Sequence, residues 1–334
     1  MKVFLLGDFK SDNGPGNANK QIRDTLGMIY DIEYSKADGR LKRILEMVRC
    51  AKNSDIIVIC SSSKLNYLAV RLAKKKYKRI IYLMHGYGSY EAKIANPNIS
   101  EEELTQIRAY EKFMYDASDR IICVSKRCME FMKNQIPQYM EKLDYIFNVV
   151  DTENIIKLCQ ENVSSRHKDT ILSVGGGMRR KNNLTIAKCI DKYFVETNFT
   201  VIGNELEDGK QIKEIKSVTW IEHLPHNELC RLMSESRLYI QNSAFETFGL
   251  AIIEALYAGC SLLISSKVGC IDLFESIVDE DIIYDNTNED EIRKKINYLL
   301  QNPNNERLIA GFNKDLVSKK WQANKWKKII GEIM

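Results

Sequence analysis

Twice along the chain, short runs of β-branched and aliphatic residues alternate with segments of helical periodicity, and that rhythm leaves few folds open. The runs at 2–6 ("KVFLL"), 55–60 ("DIIVIC"), 79–84 ("RIIYLM"), 119–124 ("DRIICV") and 144–147 ("DYIF") read as strands. Helical patterns at about 17–29, 40–52, 64–76, 101–117 and 126–135 separate them. The rhythm restarts with strands at 170–174, 199–202, 218–221, 237–240 and 261–265, and helices at 183–192, 226–234, 250–258 and 289–301. This βαβα order predicts a parallel sheet covered by helices on both faces. The polar stretch "CQENVSSRHKD" (159–169) reads as the end of a connection between the halves. At 334 residues, two doubly wound α/β domains are expected, facing across a cleft. In open sheets of this kind ligands bind beyond the carboxyl ends of the strands, so the strand ends are where chemistry is to be sought.

Bulk properties remove several classes of function. The formal net charge of +4 gives no nucleic-acid footprint. Nine scattered cysteines without a C-x-x-C pair fit free thiols in a reducing cytosol. "MKVFLLGDF" is too short a run for a secretory leader, and no apolar stretch approaches the roughly 18 residues that span a bilayer. A cytoplasmic protein is expected, at most peripheral at the inner face of a membrane.

Four strand ends carry candidate chemistry. The strand "RLYIQ" leads through "NSAFET" into a helix that begins near Phe248 or Gly249 and stops at Gly259. Glu246 lies just before that helix and Glu254 within it. The first amides of a helix favour an anion, so Gly249, Leu250 and Ala251 form an anion seat with a carboxylate on each side. Such carboxylates suit sugar hydroxyls, since one carboxylate can accept from both members of a vicinal diol. Two unrelated surface acids explain the spacing equally well. In "ILSVGGGMRRKNN" (171–183) the glycines allow close approach and Arg179, Arg180 and Lys181 bring positive charge. The loop "GDFKSDNGPGNANK" (7–20) turns at Gly14 to Gly16 and lacks the G-x-G-x-x-G pattern, which weakens any hydride-transfer reading. In "YLMHGYGSY" (82–90) His85 follows a buried-looking strand, where a structural and a functional histidine are equally well accommodated.

These motifs together resemble retaining glycosyltransferases of the GT-B fold, specifically glycosyltransferase family 4. "FETFGLAIIEALYAGC" is similar to the family's E-x7-E signature, with Glu246, Phe248, Gly249, Leu250 and Glu254 at its defining positions. "VGGGMRRKNN" resembles the family's glycine and lysine loop, with Lys181 as the lysine. "YIFNVVDTENI" resembles its hinge, and "KKWQANKWKKIIGEI" its tryptophan-containing helix that crosses back to the first domain. The likeness implies an N-terminal acceptor domain over 1–150, a donor domain over 151–316, and a returning helix over about 317–334. It implies that Lys181 meets the donor diphosphate, Glu254 the ribose hydroxyls and Glu246 the transferred sugar. Gly16, Gly175, Arg179, Arg180 and the amides after Phe248, through Ala251, complete the donor site, and His85 lies near the sugar. No metal and no cofactor are expected. The donor would be a UDP- or GDP-linked sugar and the acceptor a saccharide or lipid-linked saccharide in bacterial surface polysaccharide assembly.

Three departures stand out. Gly176 occupies the position where the family carries arginine, so Arg179 or Arg180 is expected to supply that charge. Val149 replaces the hinge glycine, and Thr247 follows Glu246. His223, His226 and Cys230 have a spacing that mimics a metal site, and a helix start accounts for them better. "DED" at 279–281 reads as a solvated turn. The basic runs "RLAKKKYKR" (71–79) and "KKWQANKWKK" (319–328) suit either a solvated helix face or an anionic membrane surface. Tyr87 and Tyr90 suit either an acceptor sugar or packing. Two other functions stay open: a nucleotide-sugar epimerase, against which the intact glutamate pair argues, and a non-catalytic partner or chaperone subunit, which Gly176 favours.

Overall fold

The computed structural model describes residues 1–11, 13–61, 63–160 and 170–334. Residues 161–169 of the expected connection lie outside the described residues. The chain divides into two compact units, Met1–Ser89 with Ser100–Val149 and Lys314–Met334, and Tyr90–Ile99 with Val150–Asn313. Residues 90–99, which the sequence reading left in the first domain, thus group with the second.

The first unit is built on β1 (Lys2–Leu6), β2 (Asp31–Tyr34), β3 (Ile56–Ile59), β4 (Arg79–Met84), β5 (Arg120–Cys123) and β6 (Leu143–Tyr145). They lie in the order β2-β1-β3-β4-β5-β6, and every pair is parallel. The intervening helices are α1 (Gly14–Gly27), α2 (Arg40–Asn53), α3 (Leu65–Lys75), α5 (Glu101–Ala117) and α6 (Lys126–Gln135), while α4 (Gly88–Ala95), which follows β4, groups from Tyr90 onward with the second unit. All four residues of β3 are buried, which is why it reads as an unbroken aliphatic run. β2, "DIEY", is a half-exposed edge strand whose polar residues hid it in the sequence. The Asn13 side chain caps α1 by accepting from Gly16 N, and Pro15 sits in its first turn. α5 starts with a Ser100–Glu103 capping box and carries three glutamates in its first turn, matched to the positive end of the helix dipole.

The second unit contains α7 (Thr152–Gln160), β7 (Thr170–Val174), α8 (Asn183–Tyr193), β8 (Asn198–Ile202), α9 (Gly209–Lys213), β9 (Val218–Ile221), α10 (His226–Glu235), β10 (Leu238–Gln241), α11 (Leu250–Tyr257), β11 (Ser261–Ser265), β12 (Ile282–Ile283), α12 (Glu289–Gln301) and α13 (Asn305–Ala310). Its parallel sheet has the order β12-β11-β10-β7-β8-β9. The order reverses between β7 and β10, so the loops after those strands flank the crevice where doubly wound sheets bind ligands. The turn at 279–281 is solvated at Asp279 and Glu280, as expected, but not at Asp281. Asp281 is fully buried and accepts from Asn304 Nδ2 at 2.7 Å and Arg307 Nη2 at 2.9 Å.

The last helix, α14 (Lys319–Ile333), belongs to the first unit. Ser318 caps it, Trp326 is fully buried, and Gln322 Nε2 donates to the Phe147 carbonyl at 3.1 Å. All nine cysteines are free thiols, eight of them buried.

Candidate functional site

The switch point of the second sheet gathers most of the charged residues singled out in the sequence. After β7 the chain turns through Gly175 and Gly176, with φ of +130° and +56°. A side chain at 175 would place its Cβ 2.6 Å from Lys181 Cγ, so the missing side chain makes room for the lysine stem. A Cβ at 176 would lie 2.2 Å from the Asn204 carbonyl oxygen. No arginine fits there in this loop. The amides of Gly175 and Gly176 donate to Ile202 O and that of Gly177 to Asn204 O, so the backbone of the loop is spent on holding its own shape. What it offers an anion is its cations.

Those cations converge on Glu246, which ends the loop after β10. Lys181 Nζ lies 2.5 Å from Glu246 Oε2, Arg180 Nη1 3.3 Å, and Gln241 Nε2 3.3 Å. Gln241 is itself fixed by Tyr239 OH at 2.7 Å and by Ser243 Oγ at 2.9 Å. The side chains of Lys181 and Glu246 are only 14% and 11% exposed. Burial pushes the Glu246 carboxyl up. The Lys181 ammonium, the Arg180 guanidinium and a hydrogen bond from the Phe248 amide more than reverse this and hold it at about 2. Burial lowers the Lys181 pKa, and Glu246 offsets this only in part. Glu246 is therefore ionised at neutral pH and acts as a hydrogen-bond acceptor and a fixed negative charge rather than a proton donor.

The two arginines divide. Arg180 spans from Glu246 to Glu91 Oε2, at 3.4 Å, and to the Phe245 carbonyl. Arg179 is tied to Asp208 Oδ1 at 3.1 Å and to the Ala95 carbonyl at 2.9 Å, which uses its guanidinium to anchor residues of α4. Of the two, Arg180 is the one that stands beside Glu246. Tyr90 packs edge-on against Phe245 with ring centroids 5.1 Å apart.

Backbone hydrogen bonds fix the approach to α11. Glu246 N donates to Lys267 O, Gly269 N to Glu246 O, and Cys270 N to Phe248 O. Gly249 stands at the N-cap with φ +100°, and no side chain caps the helix. The first amides, including those of Leu250 and Ala251, have no partner within a helix. One turn along, Glu254 Oε1 lies 3.1 Å from His226 Nε2 on α10. The Cys230 sulfur and the Glu254 carboxylate raise the His226 pKa to about 10. His223 is exposed, and among the described residues no three His, Cys, Asp or Glu side chains converge as a metal site.

Comparison with known proteins gives this arrangement a family. The "Glycosyl transferases group 1" family model matches residues 154–314, and the "Glycosyltransferase Family 4" model matches residues 18–154. The chain belongs to the GT-B glycosyltransferases. HepE of Anabaena, solved in complex with UDP and glucose, superposes on this glycosyltransferase with a TM-score of 0.69 at 15% identity, covering 100% of this chain and 99% of that one. Sucrose-phosphate synthase of Thermosynechococcus elongatus gives a TM-score of 0.72 at 14% identity, covering 99% and 100%. In sequence, the glycosyltransferase is 24% identical over 166 residues to N-acetylgalactosamine-N,N'-diacetylbacillosaminyl-diphospho-undecaprenol 4-alpha-N-acetylgalactosaminyltransferase of Campylobacter jejuni, a match that takes in 48% of this chain and 45% of that relative. The chain thus spans about half the length of the curated relatives it matches.

The first unit of the glycosyltransferase holds the remaining candidates. His85, which follows β4, lies with its Nε2 2.7 Å from Asn19 Oδ1 on α1, and burial lowers its pKa to about 4, so it is neutral at physiological pH. The Gly16 amide donates to Asn13 Oδ1, and a Cβ there would meet the Ser11 carbonyl at 2.3 Å. Gly16 therefore serves the start of α1. Tyr87 packs against Phe131. Sequence reasoning missed Glu91, Gln241, Asn19 and the contact of His226 with Glu254. None has a local signature. Gln241 lies only five positions from Glu246, but the others are brought to their partners by the fold, across 89 positions for Glu91 and Arg180, 66 for Asn19 and His85 and 28 for His226 and Glu254.

Proposed function

We propose that the protein transfers a hexose-type sugar from a UDP- or GDP-linked donor to a saccharide or lipid-linked saccharide, with retention of anomeric configuration and without a metal. The cluster of Lys181, Arg180 and Glu246 at the switch point, beside the uncapped start of α11, carries this reading. Breaking a sugar–phosphate bond develops negative charge on the diphosphate and positive charge on the sugar ring. Lys181 and the first amides of α11 stabilise the former, and one such preorganised donor contributes about 3–4 kcal/mol to the barrier. Glu246, ionised and gripped by its cations, accepts from the hydroxyls of the transferred sugar and opposes the ring's positive charge. Arg180 supplies the charge that Gly176 cannot. Glu254 accepts from the ribose hydroxyls, and His85 contacts the sugar as a neutral imidazole. Front-face attack, with the leaving phosphate taking the acceptor's proton, gives retention.

The setting is bacterial surface polysaccharide assembly at the cytoplasmic face of the membrane. The name of the Campylobacter relative, which specifies a diphospho-undecaprenol acceptor, supports it, and the UDP in the HepE complex supports the donor class. No helix among the described residues is long and apolar enough to cross a membrane, so the expected contact is peripheral, through the basic surfaces of the first unit.

The test is donor turnover with a panel of UDP- and GDP-sugars, the anomer of the product read by NMR. Glu246→Ala is expected to abolish transfer while circular dichroism stays that of the wild type. Near-normal turnover in that variant removes the role given to Glu246. A wild type that turns over no donor and captures a second protein is the result the non-catalytic alternative requires.

A further inference from the structure

The contact between His226 and Glu254 belongs to neither the sheet core nor the diphosphate seat. His226 is the first residue of α10, and its Nε2 reaches across to Glu254 Oε1 on α11 at 3.1 Å. Glu254 is 18% exposed along its side chain, while His226 is 41% exposed. The imidazole is thus reachable from solvent, and the carboxylate it holds is mostly enclosed. Cys230, one turn further along α10 and fully buried, places its sulfur 3.9 Å from the same Nε2 and 4.0 Å from Nδ1, which limits the swing of the ring. A carboxylate with two oxygens can give one to a fixed donor and turn the other, with a defined orientation, toward a ligand. A glutamate free of such a donor would sample several rotamers and lose entropy whenever it engaged a diol.

We propose that His226 is a positioning residue for the donor's ribose: by holding Glu254 Oε1 it fixes the carboxylate in the orientation that accepts from the vicinal hydroxyls. This rests on the reading above that Glu254 meets the ribose. The imidazolium is the stronger form of this clamp, and the raised pKa of His226 keeps it in that form at neutral pH. A purely structural pair tying α10 to α11 predicts something else: its loss would weaken the fold or lower binding of every ligand alike, without regard to the sugar of the nucleotide.

The discriminating measurement is the ratio of dissociation constants for 2′-deoxy-UDP over UDP, and for 2′-deoxy-GDP over GDP, by titration calorimetry on wild type, His226→Ala, His226→Gln and Glu254→Gln. The wild type is expected to prefer the ribonucleotide. Loss of an aligned charged acceptor for a hydroxyl is worth on the order of tenfold or more, so Glu254→Gln is expected to lose most of that preference. His226→Ala is expected to lose a substantial part of it. His226→Gln, which can still donate to Glu254, is expected to recover some. If Glu254→Gln loses the preference and His226→Ala keeps it in full, the proposal is overturned and the role of Glu254 stands. If both variants keep it, or the wild type shows none or binds no nucleotide, the reading of Glu254 fails and the proposal with it.

Discussion

Glu246 shows how a single side chain can be read from its neighbours. Its carboxylate accepts from Lys181, Arg180 and Gln241 on one oxygen, and its pKa sits at about 2. The folded value lies below the unfolded one, so between the two the unfolded chain binds more protons. The stability that Glu246 contributes is therefore present above about pH 4.3 and lost as the pH falls toward 2. Acid unfolding followed by circular dichroism is expected to show a shallower loss of stability over that window in Glu246→Gln than in the wild type. An unchanged slope would mean that the carboxylate is not held ionised by its cations. Gly176 is the second residue whose role follows from space alone. A Cβ there meets the Asn204 carbonyl at 2.2 Å, at a φ of +56°. Gly176→Ala is expected to destabilise the second unit by about 2–3 kcal/mol in denaturant unfolding. A cost near zero would show that the loop can relax, and that the arginine expected there in the family is excluded by something other than room.

At the scale of elements, the sequence is most legible where periodicity and burial agree. The all-aliphatic strand β3 and the strand β11, with three aliphatic residues between two serines, announce themselves, since both are wholly buried. β2 and β12 do not, because one is a polar edge strand and the other is two residues long. The E-x7-E stretch was legible as a strand end followed by a helix start, and the structure places both there. The same stretch could not reveal that Arg179 is committed to Asp208 and Ala95, because those partners, at the start of α9 and the end of α4, reach it only once the chain has folded. The basic run at 71–79 was visible, but its more informative neighbour was not. On α2, Leu41 and Leu45 are 77% and 70% exposed, among the exposed Arg40, Lys42 and Arg43. Exposed leucines among cations are costly in water and suited to an anionic interface. In co-sedimentation, the protein is expected to bind vesicles containing phosphatidylglycerol far better than neutral phosphatidylcholine vesicles. Replacing both leucines by Asn is expected to reduce that binding about tenfold or more. Equal binding to both vesicle types, or an unaffected double variant, would remove α2 from the membrane contact.

For the molecule as a whole, a repeated βα rhythm yielded two parallel six-stranded sheets, and the family likeness supplied the proposed roles that rhythm alone cannot give. The second sheet then explains why these charged side chains gather where they do. Its strand order reverses between β7 and β10, and the loops after those two strands carry Lys181, Arg180 and Glu246. The central claim is that the donor's diphosphate sits on Lys181 and the first amides of α11. A crystal structure of the protein with UDP or GDP bound measures this directly. The expected result is phosphate oxygens within hydrogen-bond distance of Lys181 Nζ and of the amides from Gly249 to Ala251, with the ribose at Glu254. A nucleotide lodged elsewhere, with Lys181 still closed on Glu246 and the start of α11 empty, would contradict it.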